Sequence, residues 1–550
     1  MIEFTCIFSS EKKEHKDFYP IDEYCSIFSS RDLLCSEDKA VWLCFSGFVS
    51  NAETIKRELI EKGHCFGTQN PEECIIHLYE EFQEHAAEHL CGSFVFVIYD
   101  QKERKVFVSR DRNGEKFLYY TVTETSFICS TNIKNIISIL PEKPELNPQQ
   151  IADAIGYSHP IGDGETCFKN IFRLPFASNL KYRSGKKEIW SYWNRKSANK
   201  FTGTREEAEK ELLQNLKSSV VSAMGNNKTT AILLSSGIDS SVIASIAREN
   251  FQEVHVFTAG YKGAFECDER FVAKRFAAEK DLIWHEVELS EDDYVNSFEE
   301  YCACFDEPVC DVAAFANWAL FKEVKKQGFD TLLCGNGSDE MFFGYESENR
   351  LGELLSMPIS GWFNIFIPQG RENFKLALKL LRWYKNPWIF FNAEKLANAI
   401  YTPHFVNALF RAKSRGFLPE KRSVPVLTTP DVIGVYDWLW DNWLTNNCNA
   451  LGCKFADALD IRLCSPFLDH RLCEFVFSLP MDYVYYPGDP KRLLKNAVNG
   501  MVPDYILNPE KKGFTPPKEY IDKIMDKYGK SSFNFLLASE VCRNLTGEDL

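Results

Sequence analysis

The chain has 550 residues, of which 45% are hydrophobic and 26% charged, proportions that exclude disordered and fibrous classes of protein. Lys and Arg number 63 against 78 Asp and Glu, so the net charge of −15 gives the whole surface no electrostatic reason to bind nucleic acid or an anionic membrane. The 19 cysteines are scattered without regular spacing, and no segment reaches the roughly 18 apolar residues of a membrane span. We therefore expect a cytoplasmic protein with reduced thiols.

The first part of the chain is rich in strand patterns joined by turns. Its predicted elements are a strand at Val41–Val49, helices at Ala52–Lys62 and Pro71–His85, a hairpin of Ser93–Tyr99 with Lys105–Ser109, and a third β run at Leu180–Trp193. The polar stretch Asn194–Thr204 that follows is typical of a linker between domains.

After this stretch, strand and helix patterns alternate. They are helix Arg205–Met224, strand Thr230–Leu234, helix Ser240–Glu249, strand Glu253–Thr258, helix Asp268–Glu279, strand Trp284–Glu288, helix Phe315–Gln327 and strand Thr331–Cys334. Such alternation predicts an α/β domain, a parallel sheet with helices on both faces. From Glu346 onward the pattern is mainly helical, with loops near Pro403, Pro425 and Pro466.

The run Leu233–Ser241 places small residues between an apolar strand and a helix. Ser235, Ser236 and Gly237 leave room for an anion to approach the backbone, and the N–H groups and positive end of the helix would face it. The pattern indicates a phosphate site, although it lacks the lysine and spacing of a Walker loop. Taken alone, a turn of this kind is also common as plain structure.

A second strand–turn–helix pattern occurs at Thr331–Glu340, where Asp339 and Glu340 follow a glycine turn. In an open parallel sheet both turns fall at the carboxyl ends of strands, where ligands bind. Acidic residues facing a phosphate site indicate a polyphosphate bound with Mg²⁺. The alternative is that Asp339 only caps a helix.

These residues resemble the motifs of asparagine synthetases. Leu233–Ser241 is similar to the pyrophosphatase-type loop SGGxDSS, with Ser236 where glycine is usual, and Cys334–Tyr345 is similar to SGEGADELFGGY. The remaining matching segments, Ser109–Tyr120, Phe168–Pro175, Ser465–Phe475, Lys491–Lys495 and Pro509–Phe514, spread the resemblance in order over nearly the whole chain.

The resemblance implies two domains and an architecture for each. Residues 1–194 would form an αββα sandwich like that of the Ntn hydrolases, a glutaminase-like domain. Residues 195–204 would link it to residues 205–550, an amide ligase domain with a doubly wound parallel sheet, like the adenine-nucleotide α-hydrolases, and a helical C-terminal part. The resemblance is also compatible with a homodimer.

The resemblance further implies a two-step ligase, in which ATP adenylates a carboxylate, releasing pyrophosphate, and a nitrogen nucleophile then displaces AMP. Lys491 matches the lysine that balances negative charge in both steps, and Asp239 with Asp339 would bind Mg²⁺. The residues expected around ATP and pyrophosphate are Leu233, Ser235, Ser236, Gly237, Asp239, Ser240, Ser241, Gly335 and Lys512. For Lys512 a solvated surface position is an equal alternative.

The glutaminase-like half departs from the family pattern at its reactive positions. Ile2 stands where the nucleophilic cysteine follows Met1, Ser46 replaces the oxyanion asparagine, Phe48 replaces the glutamate of NGEIYN, and Pro71 replaces an aspartate before the second helix. We therefore expect this domain to release no ammonia from glutamine.

The synthetase-like half also departs from the family pattern, most clearly at Asn336. The family has glutamate at this position, whereas lactam-forming relatives have tyrosine and a peptide-cyclising relative has histidine. An asparagine can orient an amine by hydrogen bonding but cannot take its proton at neutral pH, so another residue would serve as the base. Arg462 falls in an altered ExRxPFLD run and has no assigned role.

Three hypotheses follow from these departures. In the first, the enzyme joins a small-molecule or peptide carboxylate to an amine on the substrate, as β-lactam synthetases and lasso peptide cyclases do, with biosynthetic partner proteins. In the second, it uses free ammonia to make asparagine or another primary amide. In the third, it is a scaffold without activity, which the joint presence of the nucleotide loop, Asp339 and Lys491 disfavours.

Overall fold

The structure is a computed structural model that describes residues 3–9, 18–30, 33–225, 228–263, 265, 267–346, 348–349, 353, 428–429, 431–508, 516–530, 532–548 and 550. Ile2, Lys512 and the loops predicted near Pro403 and Pro425 therefore lie outside the described residues.

Two antiparallel sheets of six strands each make up the N-terminal half. Their strands are β1 Phe4–Ser9, β2 Tyr19–Pro20, β3 Cys25–Ser29, β4 Leu34–Cys35, β5 Val41–Val49, β6 Gly92–Asp100, β7 Lys105–Arg110, β8 Tyr119–Val122, β9 Ser126–Ser130, β10 Phe172–Arg173, β11 Ser178–Arg183 and β12 Lys186–Ser191. The first sheet has the order β10-β8-β9-β1-β3-β2 and the second β12-β11-β7-β6-β5-β4.

The two sheets bury an apolar layer between them, and helices cover their outer faces. Phe8 from the first sheet and Val97 from the second belong to the same buried cluster. Helices α1 (Ala52–Glu61) and α2 (Cys74–Phe82) pack on the second sheet, and α3 (Ile133–Ile139) with α4 (Pro148–Tyr157) on the first. This order of layers confirms the predicted αββα sandwich.

A five-stranded parallel sheet forms the centre of the C-terminal half. Its strands are β13 Thr230–Leu233, β14 His255–Tyr261, β15 Ile283–Leu289, β16 Thr331–Leu333 and β17 Arg462–Cys464, in the order β15-β14-β13-β16-β17. Buried clusters lie on both of its faces. The predicted doubly wound sheet is therefore confirmed, with β13 at its centre and β16 beside it.

Helices connect and cover these strands. They are α5 Arg205–Met224, α6 Ile238–Asn250, α7 Arg270–Glu279, α8 Glu291–Ala303, α9 Ala314–Lys326 and α10 Ser338–Met341, followed by Val432–Trp438, Asn449–Leu459, His470–Ser478, Met481–Val484, Arg492–Ala497, Asp504–Leu507, Lys518–Lys527 and Phe533–Thr546. A π-helix spans Leu439–Cys448. In the part of the chain described here, no helix is both long and apolar enough to cross a bilayer.

Local signals explain why α5 begins where the sequence predicts. The Thr204 hydroxyl accepts a hydrogen bond from the Glu207 N–H at 3.2 Å, and the Glu207 carboxylate accepts one from the Thr204 N–H at 2.7 Å. This reciprocal capping box satisfies two N–H groups that the helix itself leaves unpaired.

Other elements differ from the sequence predictions. The β run Leu180–Trp193 is two strands, β11 and β12, because Ser184 and Gly185 turn the chain with positive φ angles of 51° and 75°. The helix predicted at Pro71–His85 is interrupted: a 3-10 turn opens it, and Gln83 at φ 52° ends α2. Strand β17 lies in a stretch that we predicted to be helical. It forms by pairing with β16, which lies more than a hundred residues earlier in the chain, so no local pattern indicates it.

Buried polar contacts join the two halves. The Arg173 guanidinium donates to the Glu307 carboxylate at 3.0 Å, and the Lys116 ammonium donates to the Asp457 carboxylate at 2.5 Å. His159 lies at the same interface, with its ring centroid 5.5 Å from that of Trp443 and its Nδ1 donating to the Pro160 carbonyl at 2.9 Å. Burial lowers the pKa of His159 to about 4 and keeps the ring neutral.

His159 makes stability depend on pH, because unfolding restores an ordinary pKa near 6.5. A depressed folded-state pKa contributes stability that is present above pH 6.5 and is lost as the pH falls toward 4, by about 3 kcal/mol. In His159→Asn, the fall in unfolding free energy between pH 7 and pH 4 should be smaller by this amount. Denaturant unfolding at the two pH values measures it, and an equal fall in both proteins would contradict the assignment.

Candidate functional site

The two glycine turns meet at the carboxyl edge of the parallel sheet. Strand β13 leads through Leu233 to the loop 234–237 and helix α6, while β16 leads through Gly335 to α10. A Cβ atom on Gly335 would lie 3.0 Å from the Cβ atom of Asp239, so glycine permits this close approach of the two loops.

The loop after β13 is held by its own serine hydroxyls. The Ser240 hydroxyl accepts from the Ser235 N–H at 3.1 Å, and the Ser235 hydroxyl accepts from the Gly237 N–H at 3.2 Å. Gly237 is the N-terminal cap residue of α6, and no side chain caps this helix end. The first N–H groups of α6 are thus available to an anion at the positive end of the helix.

Among the predicted loop residues, Ser240 and Ser241 behave differently. Ser240 holds the loop, whereas the hydroxyl of Ser241 is fully buried in α6 and has no hydrogen-bond partner in the structure. Ser236 is half-buried in the turn itself. The structure therefore brings Ser235, Ser236, Gly237 and Ser240 together at the helix start, and leaves the Ser241 side chain inside the fold.

Lys491 and two aspartates form the charged centre of the site, which we call the Lys491 triad. The Lys491 ammonium lies 2.6 Å from Oδ2 of Asp239 and 2.8 Å from Oδ1 of Asp339. Asp239 also accepts a hydrogen bond from the Ser338 hydroxyl at 2.5 Å. Three residues predicted from separate motifs thus meet at one point, between the starts of α6, α10 and the helix Arg492–Ala497.

The electrostatics of the triad favour a charged lysine. Burial alone would lower the pKa of Lys491, but attraction to Asp239 and Asp339 outweighs it and raises the pKa above the ordinary lysine value. The backbone of Lys491 is left-handed, at φ 60°, and its N–H donates to the Phe342 carbonyl at 3.1 Å. The ammonium is therefore fixed in place by the fold before any ligand binds.

The same carboxylates suit a magnesium ion. Asp239 and Asp339 each place an oxygen within 2.8 Å of a single cationic atom, so they converge on one small volume. Mg²⁺ in proteins is held by one or two carboxylates together with water and substrate phosphates. The donor set present fits such an ion, with Asp339 the more exposed ligand.

Gly344 and Ser338 are site residues that sequence reasoning missed. A Cβ atom on Gly344 would lie 1.8 Å from Oδ1 of Asp339 and 2.5 Å from Cε of Lys491, so only glycine fits beside the triad. Both belong to the matched segment Cys334–Tyr345, which was the available signal. Next to them, burial raises the pKa of Glu340 to about 7, and its carboxylate accepts from the Tyr345 hydroxyl at 2.7 Å.

Asn336 and Arg462 have contacts away from the triad. The Asn336 amide donates to the Cys448 carbonyl of the π-helix at 3.4 Å. The Arg462 guanidinium lies over the Phe48 ring, 4.2 Å from its centroid, and donates to the Ala223 carbonyl at 2.9 Å. Arg462 thus joins the two halves of the chain.

The positions at which the chain departs from the glutaminase pattern make structural contacts. Ser46 is buried in β5 opposite Val95, and Phe48 pairs with Ser93 while its ring faces Arg462. Pro71 opens the 3-10 turn before α2. Phe48 and Ser93 border a cleft between the two halves, whose other wall includes Asp469.

The space beside Gly344 gives a test of the triad. Gly344→Ala should displace Asp339 and Lys491 and weaken Mg²⁺–ATP binding about 10- to 100-fold, the range of losing one or two hydrogen bonds to charged groups. Isothermal titration calorimetry measures the dissociation constant. Gly164→Ala, where a Cβ atom meets nothing within 4 Å, is the matched control. Unchanged affinity in Gly344→Ala would contradict the proposed role of the triad.

Comparison with known proteins identifies the family. Residues 211–548 match the family described as asparagine synthase, and residues 29–193 match the glutamine amidotransferase domain. Asparagine synthetase [glutamine-hydrolyzing] 3 of Bacillus subtilis (strain 168) is 26% identical over 84% of this chain and 74% of its own length. Asparagine synthetase [glutamine-hydrolyzing] 1 of the same organism is 25% identical over 88% of this chain and 77% of its own length.

A fungal protein that is similar to this chain is named an amidase and not an asparagine synthetase. Amidase chyE of Penicillium rubens is 24% identical over 88% of this chain and 78% of its own length. Homologues in this family are ATP-dependent carbon–nitrogen ligases. The family match covers more than half of the residues, and it includes the loop, both aspartates and the lysine of the Lys491 triad. The chain therefore belongs to the asparagine synthase family and is an ATP-dependent carbon–nitrogen ligase.

Proposed function

We propose that this enzyme adenylates a carboxylate and joins it to an amine of the substrate, closing a lactam, macrolactam or isopeptide bond in natural-product biosynthesis. One contrast between the two domains carries the proposal. The charged groups of the nucleotide site are present and paired around Lys491, whereas the glutamine-site positions hold Ser46 and Phe48. An enzyme that retains the ligase site without the ammonia source takes its nitrogen from elsewhere.

The charges of the site suit the first step of this reaction. A carboxylate oxygen attacks the α-phosphorus of ATP, and the bond to pyrophosphate breaks. The N–H groups at the start of α6 and the Lys491 ammonium would face the departing pyrophosphate, where negative charge accumulates. Bound Mg²⁺ would add positive charge at the same phosphate oxygens. Asp239 holds Lys491 in position for this role.

In the second step an amine nitrogen attacks the acyl carbon, and AMP leaves with the electron pair of the broken C–O bond. The amine proton must pass to a base. Asn336 would orient the amine through its side-chain carbonyl but cannot accept this proton. Asn336 is half-buried beside the π-helix, in the turn that follows β16 and leads to Asp339.

The contacts of Phe48 support a domain without glutaminase activity. A glutamate at this position could hold the amino group of glutamine, but a phenyl ring offers only its face, and here the Arg462 guanidinium covers it. Ser46 has one hydroxyl in place of the amide that would stabilise an oxyanion. Both substitutions remove polar groups from the glutamine site while keeping β5 paired with β6.

The second candidate is an asparagine synthetase that uses free ammonia. The similarity to two asparagine synthetases of Bacillus subtilis favours it, and the nucleotide site would serve it equally well. In that case the carboxylate would be aspartate and Asn336 would face ammonia.

Exchange of labelled pyrophosphate into ATP, measured with a panel of carboxylates, separates these candidates. Our proposal predicts exchange with an amine-bearing carboxylate or peptide and a cyclised product, together with no glutamate release from glutamine. Aspartate with saturating ammonium should give no asparagine, which mass spectrometry checks. Asparagine formation under these conditions would contradict the proposal and establish the second candidate. As the control, Asp239→Ala should abolish exchange with every carboxylate.

A further inference from the structure

A cluster of two histidines and a glutamate lies on the outer helices of the N-terminal domain, remote in sequence from the nucleotide site. We call it the His64 cluster; it consists of His64 after α1 and His77 and Glu80 on α2. Nδ1 of His64 lies 3.2 Å from Nδ1 of His77 and 3.4 Å from Oε2 of Glu80, and Nδ1 of His77 lies 2.8 Å from the same oxygen.

We propose that the His64 cluster binds a divalent transition-metal ion, with Zn²⁺ as the best fit. Ligand atoms 2.0–2.1 Å from a tetrahedral zinc ion lie roughly 3.3 Å from one another. The three observed separations bracket this value. Within the described ranges, no other three histidine, cysteine or acidic groups bring their ligand atoms together in this way.

The Nε2 atoms of the two histidine rings also support a metal site. Nε2 of His64 lies 2.9 Å from the Glu81 carboxylate, and Nε2 of His77 faces the Glu73 carboxylate at 3.7 Å. A metal-bound histidine carries its proton on the nitrogen away from the metal and donates it to such a group. Glu73 is itself fixed, since it accepts from the Gly67 and Thr68 N–H groups at 2.6 and 2.8 Å.

Without a metal, the proton arrangement of two neutral rings is unfavourable. If His64 donates from Nε2 to Glu81 and His77 donates from Nδ1 to Glu80, the Nδ1 lone pair of His64 faces the Glu80 carboxylate. The buried Nε2 of His77 then has no proton for Glu73 and makes no hydrogen bond in the structure. A metal ion between the two Nδ1 atoms removes both conflicts, because each ring then carries its proton on Nε2.

Access and surroundings also suit an ion. His77 is buried and packs against the Phe66 ring, 4.5 Å between centroids, whereas the Glu80 side chain is 35% exposed. Water can therefore reach the fourth coordination position from the Glu80 side. The ion would tie the loop after α1 to helix α2, and this inference does not depend on the substrate of the ligase.

Zinc binding to the full-length chain tests the proposal. Chelator-treated protein is titrated with Zn²⁺, and bound metal is counted by elemental mass spectrometry and calorimetry. We expect one Zn²⁺ per chain, a loss of at least 100-fold in affinity in His64→Gln, and a 10- to 100-fold loss in Glu81→Gln, whose carboxylate only orients the ring. Zinc should also raise the melting temperature of the wild-type chain but not of His64→Gln.

Two histidines provide matched controls. His85 forms an i, i+3 pair with Glu88 at 2.6 Å, and His285 lies 2.9 Å from His255, but neither belongs to a three-ligand cluster. His85→Gln and His285→Gln should each bind zinc as the wild type does. Absence of zinc binding by the wild-type chain would mean that His77 is simply a protonated imidazole between two carboxylates. That result would overturn the proposal. So would zinc affinities in His64→Gln and Glu81→Gln equal to the affinity of the wild-type chain.

Discussion

The ion pair of Lys491 with Asp239 and Asp339 is the constraint on which the proposed nucleotide site depends. A buried ammonium group is stable only when opposite charges and hydrogen bonds replace its water. Here the partners come from helices that begin after two neighbouring strands, β13 and β16, so the parallel pairing of these strands sets their separation. Glycine at positions 335 and 344 leaves the space that the three charged side chains occupy.

The contact between the two domains includes Phe48, a position at which the chain departs from the glutaminase pattern. Phe48 and Arg462, one from each domain, pack together at the cleft, and buried pairs such as Arg173 with Glu307 join the same interface. Breaking a buried pair by removing one partner costs about 3–5 kcal/mol. These buried pairs make the N-terminal domain a structural partner of the ligase domain.

The sequence predicts best where the signal is local. The capping box at Thr204 and Glu207 specifies the start of α5, and the apolar run before Ser235 specifies β13. It predicts least where the partner is distant: β17 pairs with β16 across more than a hundred residues, and Arg462 meets Phe48 across the domain interface. Lys491, Asp239 and Asp339 were predicted from separate motifs, but periodicity contains no information on their distances. Ser338 and Gly344 act through shape and a short hydrogen bond, which a single sequence does not reveal.

The central claim is that the Lys491 ammonium supplies the fixed positive charge for adenylation. The most direct measurement is the rate of ATP–pyrophosphate exchange in Lys491→Met, with folding checked by circular dichroism. Lys495→Met is the control, since Lys495 lies one turn further along the same helix and pairs with Asp489 at 2.8 Å. We predict a fall of about 10²–10³-fold in Lys491→Met, the range for losing one preorganised electrostatic group, and less than about 2-fold in Lys495→Met. Exchange at the wild-type rate in folded Lys491→Met would contradict the account.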